Sequence, residues 1–453
     1  MKKINIISAI LTITMLLTSF SEAFATSLRD DPYSLSSSVL ASNSMNYETY
    51  NSLNIGAEAA ILIDYDTGQI LYQKNINKKL YPASTTKMMT AILALEHGNL
   101  SDYVIIDQEV VDLTYGSHIA LEVGEVLTLE QLLNGMLIAS ANDCALAIAK
   151  HIGGSVDAFV KMMNDKAKEL GAVDTNFVNP NGLHEDEHVS TAHDLALIGQ
   201  YAMQFDEFRN IITKVTYEIP PTNIKNEARY LKTTNKLLFS TEKVEINGQP
   251  VPIKYQYALG VKTGYTSKAK NCLVSYAEKE GQKLLAVVLK ANGNEVYKNT
   301  IELLNFGFDN FDNIVIGYKD QFIDNIPIEG GNIPYVAGII DSNIAFPLSK
   351  YNVENIERKI VLNEDLHAPI SVGQILGEVH YLINGEYLGK ANIVASTDIS
   401  ADTSSGFLSG IINNWYWFII VFLILQRIYK KYKIRKKRRR KRNAIPEINY
   451  ISK

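Results

Sequence analysis

The sequence predicts a mixed α/β (α+β) fold: a sandwich of an antiparallel sheet and helices, then a small all-β domain, then a C-terminal transmembrane helix. Three observations predict it. Short β-prone runs stand at both ends of residues 55–311, with helical periods between them. After about Asn310 the runs are short and separated by Gly, Pro and Asn, as in an all-β domain. Phe407 to Leu425 is a mostly apolar stretch of 19 residues.

The elements follow in order. Ala59 to Tyr65 and Gln69 to Gln73 are β-prone runs joined by Asp66-Thr67-Gly68, which reads as a hairpin. A helix is expected from about Thr85, because Met88, Ala91, Ile92 and Leu95 share one face and Gly98 stops it. Thr128 with Gln131 is a capping box for a helix reaching Ile138. A further helix runs from Asp143 to Ile152 and ends at Gly153-Gly154. Tyr257 to Lys262, Cys272 to Ala277 and Lys283 to Leu289 form an antiparallel meander, and Val296 to Phe306 is helical. Ile314 to Tyr318, Lys359 to Leu362, Gly377 to Leu382 and Tyr387 to Val394 are the strands expected in the second domain.

The chain of 453 residues is 46% hydrophobic and 21% charged, which excludes disorder as its main state and a collagen-like or coiled-coil rod. Its net charge of −5 hides an asymmetry: Arg427 to Arg442 holds twelve Lys or Arg and no acid, so everything else carries −17. Lys2 and Lys3, the apolar run Ile4 to Leu17 and the small-x-small site Ala23-Phe24-Ala25 read as a signal peptide over residues 1–25. The Ser- and Asn-rich residues 26–54 read as a flexible leader. Residues 55–311 form the first domain and 312–395 the second; 396–406 is a linker, 407–426 the span and 427–453 a basic tail. Trp415, Tyr416 and Trp417 suit a membrane interface, and the basic run beyond puts the tail in the cytoplasm and the body outside. The basic run abuts an apolar segment, so a membrane surface explains it better than nucleic acid. Cys144 and Cys272 sit in apolar stretches and read as buried free thiols.

Chemistry concentrates in three places. In Pro82-Ala83-Ser84-Thr85-Thr86-Lys87, a serine at a helix start shares a face with a lysine three residues on. A lysine of depressed pKa can take the serine proton. Ser140-Ala141-Asn142 lies between two expected helices, where a hydroxyl can relay a proton and an amide can hold a carbonyl. Lys262-Thr263-Gly264 stands at the end of an expected strand, where lysine and hydroxyl suit a carboxylate and glycine admits a ligand backbone to the edge. Taken singly these are a cap, a loop serine and a strand-end lysine. In this order they match the set of penicillin-binding proteins and serine β-lactamases.

The chain resembles the D-alanyl-D-alanine carboxypeptidases of the low-molecular-mass penicillin-binding protein group, peptidase family S11. The resemblance rests on LIDYDTGQILYQKN, YPASTTKMMTAILALE, IASANDCALAIAKHIGG, NPNGLHEDEHVSTAHDLALI, TTNKLL and GVKTGYTSKAKNCLVSYA, spread over Ala57 to Phe311. LHAPISVGQILGEV resembles the β-rich C-terminal domain of the same group. One departure is Lys270 after Ala269, where the family has glycine. The resemblance implies a serine β-lactamase/DD-peptidase-like fold. It implies that Ser84 is the acylated nucleophile, Lys87 its base and Ser140 the proton shuttle to the leaving amine. Asn142 would bind the peptide amide, and Lys262, Thr263 and Gly264 the terminal carboxylate end. The backbone N–H groups of Ser84 and Tyr265 would form the oxyanion hole. The implied substrates are peptidoglycan stem peptides ending in D-Ala-D-Ala, with β-lactams as inhibitors and no metal or cofactor.

Three rivals carry sequence features. His184-Glu185-Asp186-Glu187-His188 has zinc-hydrolase spacing, but Asn179-Pro180-Asn181-Gly182 before it is turn chemistry and no amphipathic helix carries it. Glu130-Gln131-Leu132-Leu133-Asn134 has the letters of a class A β-lactamase segment, but it precedes Ser140 and sits in an expected helix. A non-catalytic binder of muropeptides or β-lactams is the third, against which the intact Ser84, Lys87, Ser140, Asn142 and Lys262 set speaks.

Overall fold

The structure is a computed structural model and describes residues 53–350, 356–383, 385–402 and 414–442. The expected signal peptide and residues 407–413 of the expected span lie outside them. The described residues divide into two compact units. One runs up to Ile316 and includes Ala345–Glu357 and Tyr381–Gly389; the other comprises Gly317–Ile344, Arg358–His380 and the chain from Lys390.

The first unit is built on one antiparallel sheet. β1 (Ala59–Asp64) and β2 (Ile70–Lys74) form the expected hairpin. Its turn closes where Asp64 Oδ1 accepts from the N–H and the hydroxyl of Thr67, and Gly68 takes φ 71°. The helices that follow are α1 (Lys87–His97), α2 (Leu129–Ile138), α3 (Asn142–Gly153), α4 (Val156–Glu169) and α5 (Ala192–Ala202). The meander is β3 (Ala258–Thr266), β4 (Lys270–Lys279) and β5 (Gln282–Ala291), and α6 (Glu295–Asn310) closes the unit. The sheet order is β2–β1–β5–β4–β3, so pairing of β1 with β5 joins the two ends of the domain.

Both faces of this sheet are covered. Ala59, Ile61 and Ile63 point into a core shared with α1 to α5, whereas Ala60 and Leu62 point into a second core with α6. Two-sided burial is why β4 and β5 read as continuous apolar runs rather than alternating ones. The Thr128–Gln131 capping box opens α2, and Gly154 ends α3 with φ 76°. Gly98 ends α1 for a different reason: its φ is −108°, but a β-carbon there would lie 2.4 Å from Leu129 Cδ2. α4 and α5 have no counterpart in the sequence reading, although Ser155 and Thr191 cap them by accepting from Ala158 and Asp194 N–H groups.

In the later part of the chain β6 (Phe322–Pro327), β7 (Tyr335–Ile340), β8 (Ile356–Leu362), β9 (Ile375–Ile383) and β10 (Glu386–Ala395) form a second sheet, ordered β6–β7–β10–β9–β8. The all-β reading holds there; β6 and β7 were not anticipated.

The expected transmembrane helix lies only partly within the described residues. α7 (Trp415–Arg442) is one helix of 28 residues, but its apolar part ends at Leu425 and the basic run occupies the rest. Those eleven apolar residues reach ~16 Å at ~1.5 Å per residue, against a hydrocarbon core of ~30 Å. Among the described residues no helix is long and apolar enough to cross a membrane.

Candidate active site

The site grows from a tight turn. Ala83–Thr86 is a 3₁₀ turn leading into α1, and Ala83 holds φ 49°. In such a turn residues three apart eclipse one another. Ser84 and Lys87 therefore superpose, with Lys87 Nζ 3.0 Å from Ser84 Oγ. The sequence reading anticipated the pairing; the turn is tighter than the α-helix it assumed. Ser84 is half-buried, and Lys87 is fully buried.

Two further oxygens surround that lysine. Lys87 Nζ is 2.7 Å from Asn142 Oδ1 and 2.6 Å from the Asn181 carbonyl. Asn142 begins α3, and its amide NH₂ donates to the Tyr115 carbonyl, which turns its oxygen toward the lysine. The neighbouring Asp143 carboxylate accepts from Ile119 N–H at 3.0 Å and Leu121 N–H at 3.1 Å, fixing the loop that carries Tyr115. Burial drives the Lys87 ammonium well below the ordinary lysine pKa, and the nearby charge of Lys262 pushes the same way.

Ser140 holds φ 60° just before α3, and its Oγ lies 2.9 Å from Lys262 Nζ. Lys262 also donates to the Thr263 carbonyl at 3.0 Å. Burial lowers its pKa to about 7. Thr263 Oγ1 meets Thr234 Oγ1 at 2.6 Å. Tyr265 is exposed on the same strand.

Lys262-Thr263-Gly264 lies within β3 rather than at its end, because pairing continues through Gly264↔Cys272 and Tyr265↔Asn271. The glycine also has a packing role that the sequence reading did not name. A β-carbon on Gly264 would stand 2.9 Å from the Pro82 carbonyl oxygen and 3.1 Å from Ser84 N, so the glycine admits the nucleophile turn itself. Lys270, where the resemblance expects glycine, holds φ 56°.

The sequence reading gave the Asn179–Gly182 turn no part in the site. Thr90 Oγ1 donates to the Pro180 carbonyl at 2.6 Å, and Gly182 N–H donates to Asn179 Oδ1 at 2.7 Å. His188 ties the following loop to the same helix. Its Nδ1 accepts from Val178 N–H at 3.0 Å, so its proton sits on Nε2, 2.8 Å from Thr86 Oγ1. Burial, with Lys87 adding to it, lowers the His188 pKa to about 4.

The rival readings lose their geometry. Residues 184–188 form no helix, and both ring nitrogens of His188 are engaged, so the zinc spacing presents no second histidine ligand. Glu130 is exposed in the first turn of α2, and Asn134 is buried beneath it, donating to the Glu130 carbonyl at 2.8 Å: an amphipathic helix face. Cys144 and Cys272 are buried free thiols, as expected.

The comparisons agree with this arrangement. Residues 45–293 match the family described as D-alanyl-D-alanine carboxypeptidase, and residues 311–401 match the penicillin-binding protein 5 C-terminal domain. The chain is 33% identical over 368 residues to D-alanyl-D-alanine carboxypeptidase DacF of Bacillus subtilis, covering 79% of this chain and 90% of that protein. It is 28% identical to DacA of Haemophilus influenzae, covering 81% of this chain and 89% of that one. Crystal structures of penicillin binding protein 5 from H. influenzae superpose with TM-score 0.64 at 27% identity, over 77% of this chain and 98% of that chain. Placed beside the Ser84–Lys87 pair, the Asn142 and Asn181 oxygens on Lys87 and the Ser140–Lys262 contact, these matches show that the chain belongs to the D-alanyl-D-alanine carboxypeptidase family of serine-type penicillin-binding enzymes, with that group's C-terminal domain.

Proposed function

We propose that this enzyme cleaves the terminal D-alanine from peptidoglycan stem peptides ending in D-Ala-D-Ala, with Ser84 as nucleophile and Lys87 as its base. One observation carries the assignment: the three partners of the buried Lys87 amine. Asn142 Oδ1 and the Asn181 carbonyl can only accept. A neutral amine has two N–H groups for those two oxygens, and its lone pair is left facing the Ser84 hydroxyl. Ser84 Oγ gives its proton to Lys87 and bonds to the penultimate carbonyl carbon. The C–N bond then breaks, and the leaving amine takes a proton through Ser140. Water hydrolyses the acyl-serine and releases the shortened peptide. Lys262 and Thr263 hold the terminal carboxylate, Asn142 the peptide amide, and the N–H groups of Ser84 and Tyr265 the oxyanion. Gly264 keeps the strand close to Ser84. β-Lactams acylate the same serine.

The test is intact-mass measurement after penicillin, with D-Ala release from a stem-peptide analogue. Wild type gains one adduct and releases D-Ala; Ser84→Ala does neither. Lys87→Arg, permanently charged, acylates ~10²–10⁴-fold more slowly. An adduct on Ser84→Ala overturns the assignment. Rapid penicillin turnover points to a β-lactamase, and an adduct without D-Ala release points to a binder.

The reading extends to location. Export by residues 1–25 places the catalytic unit outside the cytoplasmic membrane, and Phe407–Leu425 anchors it by a single pass, with the basic tail in the cytoplasm. Support comes from the exposed apolar start of α7 and the basic run directly after it. Membrane fractionation of the full chain against a chain ending at Asp402 tests the anchor. Labelling of a cysteine placed in the tail of intact cells tests the side: labelling from outside overturns it.

A further inference from the structure

Thr234 lies on a segment to which the sequence reading gave no chemical part. It follows the short strand Arg229–Lys232, and its backbone is pinned on two sides. Thr234 N–H donates to the Ile138 carbonyl at 3.2 Å, two residues before Ser140, and Tyr297 Oη donates to the Thr234 carbonyl at 3.4 Å. The flanking Thr233 N–H donates to the Val215 carbonyl at 2.8 Å. With the backbone held, the side chain reaches Thr263 Oγ1 at 2.6 Å.

This contact is not needed to satisfy a buried group. Thr234 is exposed and its hydroxyl could bond to water. What the contact does is orient. Only one proton fits between two hydroxyl oxygens at this distance, so the other proton of the pair points away. Thr263 stands next to Lys262 on the strand proposed to hold the carboxylate.

We propose that Thr234 is a positioning residue for carboxylate recognition. Its O–H donates to Thr263 Oγ1, and the Thr263 proton is thereby turned toward the terminal carboxylate beside Lys262. A hydroxyl that accepts one bond donates the next more strongly. The inference rests on the carboxylate role given to Thr263 above.

A double-mutant cycle on a peptide ending in D-Ala-D-Ala tests it, using Thr234→Val, Thr263→Val and both together. Thr234→Val lowers kcat/KM roughly tenfold, mainly through KM, since one charge-directed hydrogen bond is weakened. The double variant is no worse than Thr263→Val alone, and Thr234→Ser restores most of the loss. Additive losses, or a Thr234→Ser enzyme as weak as Thr234→Val, overturn this inference and leave the role of Thr263 standing. A Thr263→Val enzyme with wild-type kcat/KM overturns the carboxylate role itself, and this inference with it.

Discussion

Gly182 and Ala83 meet backbone to backbone: a β-carbon on Gly182 would lie 1.9 Å from the Ala83 carbonyl oxygen. The nucleophile turn is thus clamped between two glycines, Gly182 on one loop and Gly264 on β3. Both contacts leave no room for a methyl group, and both bear on the residue before Ser84.

Substitution of Gly182 by alanine is therefore expected to displace Ser84. Gly124→Ala is the matched control, because Gly124 has φ +84° against +83° at Gly182 and nothing within 4 Å of its would-be β-carbon. Each variant suffers the left-handed backbone penalty of ~1–2 kcal/mol. Only Gly182→Ala should also lose ~10²-fold in the rate of penicillin acylation, the scale expected for a misplaced nucleophile. Equal acylation rates in the two variants would show that the clamp does not set the position of Ser84.

Lys262 sets a pH limit. Its pKa is lowered to about 7 by burial, so its positive charge is lost as pH rises through about 7 rather than near 10.5. If that charge recruits the substrate carboxylate, kcat/KM of the free enzyme falls above about pH 7. Lys262→Arg, which stays charged, should lower the maximum yet carry the plateau to higher pH. A falling limb unchanged in Lys262→Arg would assign it to another group.

His188 makes stability sensitive to acid. Its folded pKa is about 4 against 6.5 for a free imidazole, so the folded state favours the neutral ring. As pH drops below 6.5 the unfolded chain takes up a proton that the folded chain refuses, and stability is lost until about pH 4. The shift corresponds to about 3 kcal/mol. Urea unfolding at both ends of that window should show this loss in wild type and its absence in His188→Gln. The same slope in both proteins would place the acid sensitivity elsewhere.

Lys270 carries a strain that glycine would relieve. At φ 56° an L-residue pays ~1–2 kcal/mol, partly offset by the greater freedom glycine has in the unfolded chain. Lys270→Gly should raise stability by roughly 0.5–1 kcal/mol, and Lys270→Ala should not. Calorimetric melting of the two variants decides it: an equal gain for alanine would mean the benefit comes from losing the charge.

The residue types of the site were legible because each has its own chemistry and stands next to a local landmark. Ser84 and Lys87 are three residues apart, Ser140 and Asn142 two, and the Thr128 box and Gly154 stop bracket the helices between. The hairpin and meander were legible for the same reason, since turn and apolar run are neighbours in the chain. α4 and α5 were not, although Ser155 and Thr191 cap them. The end of β3 was misjudged because Lys262, Thr263 and Gly264 break the apolar pattern while the pairing with β4 goes on.

The order of the three clusters was therefore determined by the sequence alone: a serine–lysine acyl-transfer site in a mixed α/β body, followed along the chain by an all-β domain. The tertiary structure decided what makes the lysine a base. Its third partner is the carbonyl of Asn181, 94 residues away, and the turn around Ser84 is shaped by the backbones of Gly182 and Gly264. A carbonyl oxygen belongs to every residue, so no letter announces which one will close over Lys87. The burial that depresses its pKa likewise exists only once α1, α3 and the Asn181 loop have closed over it.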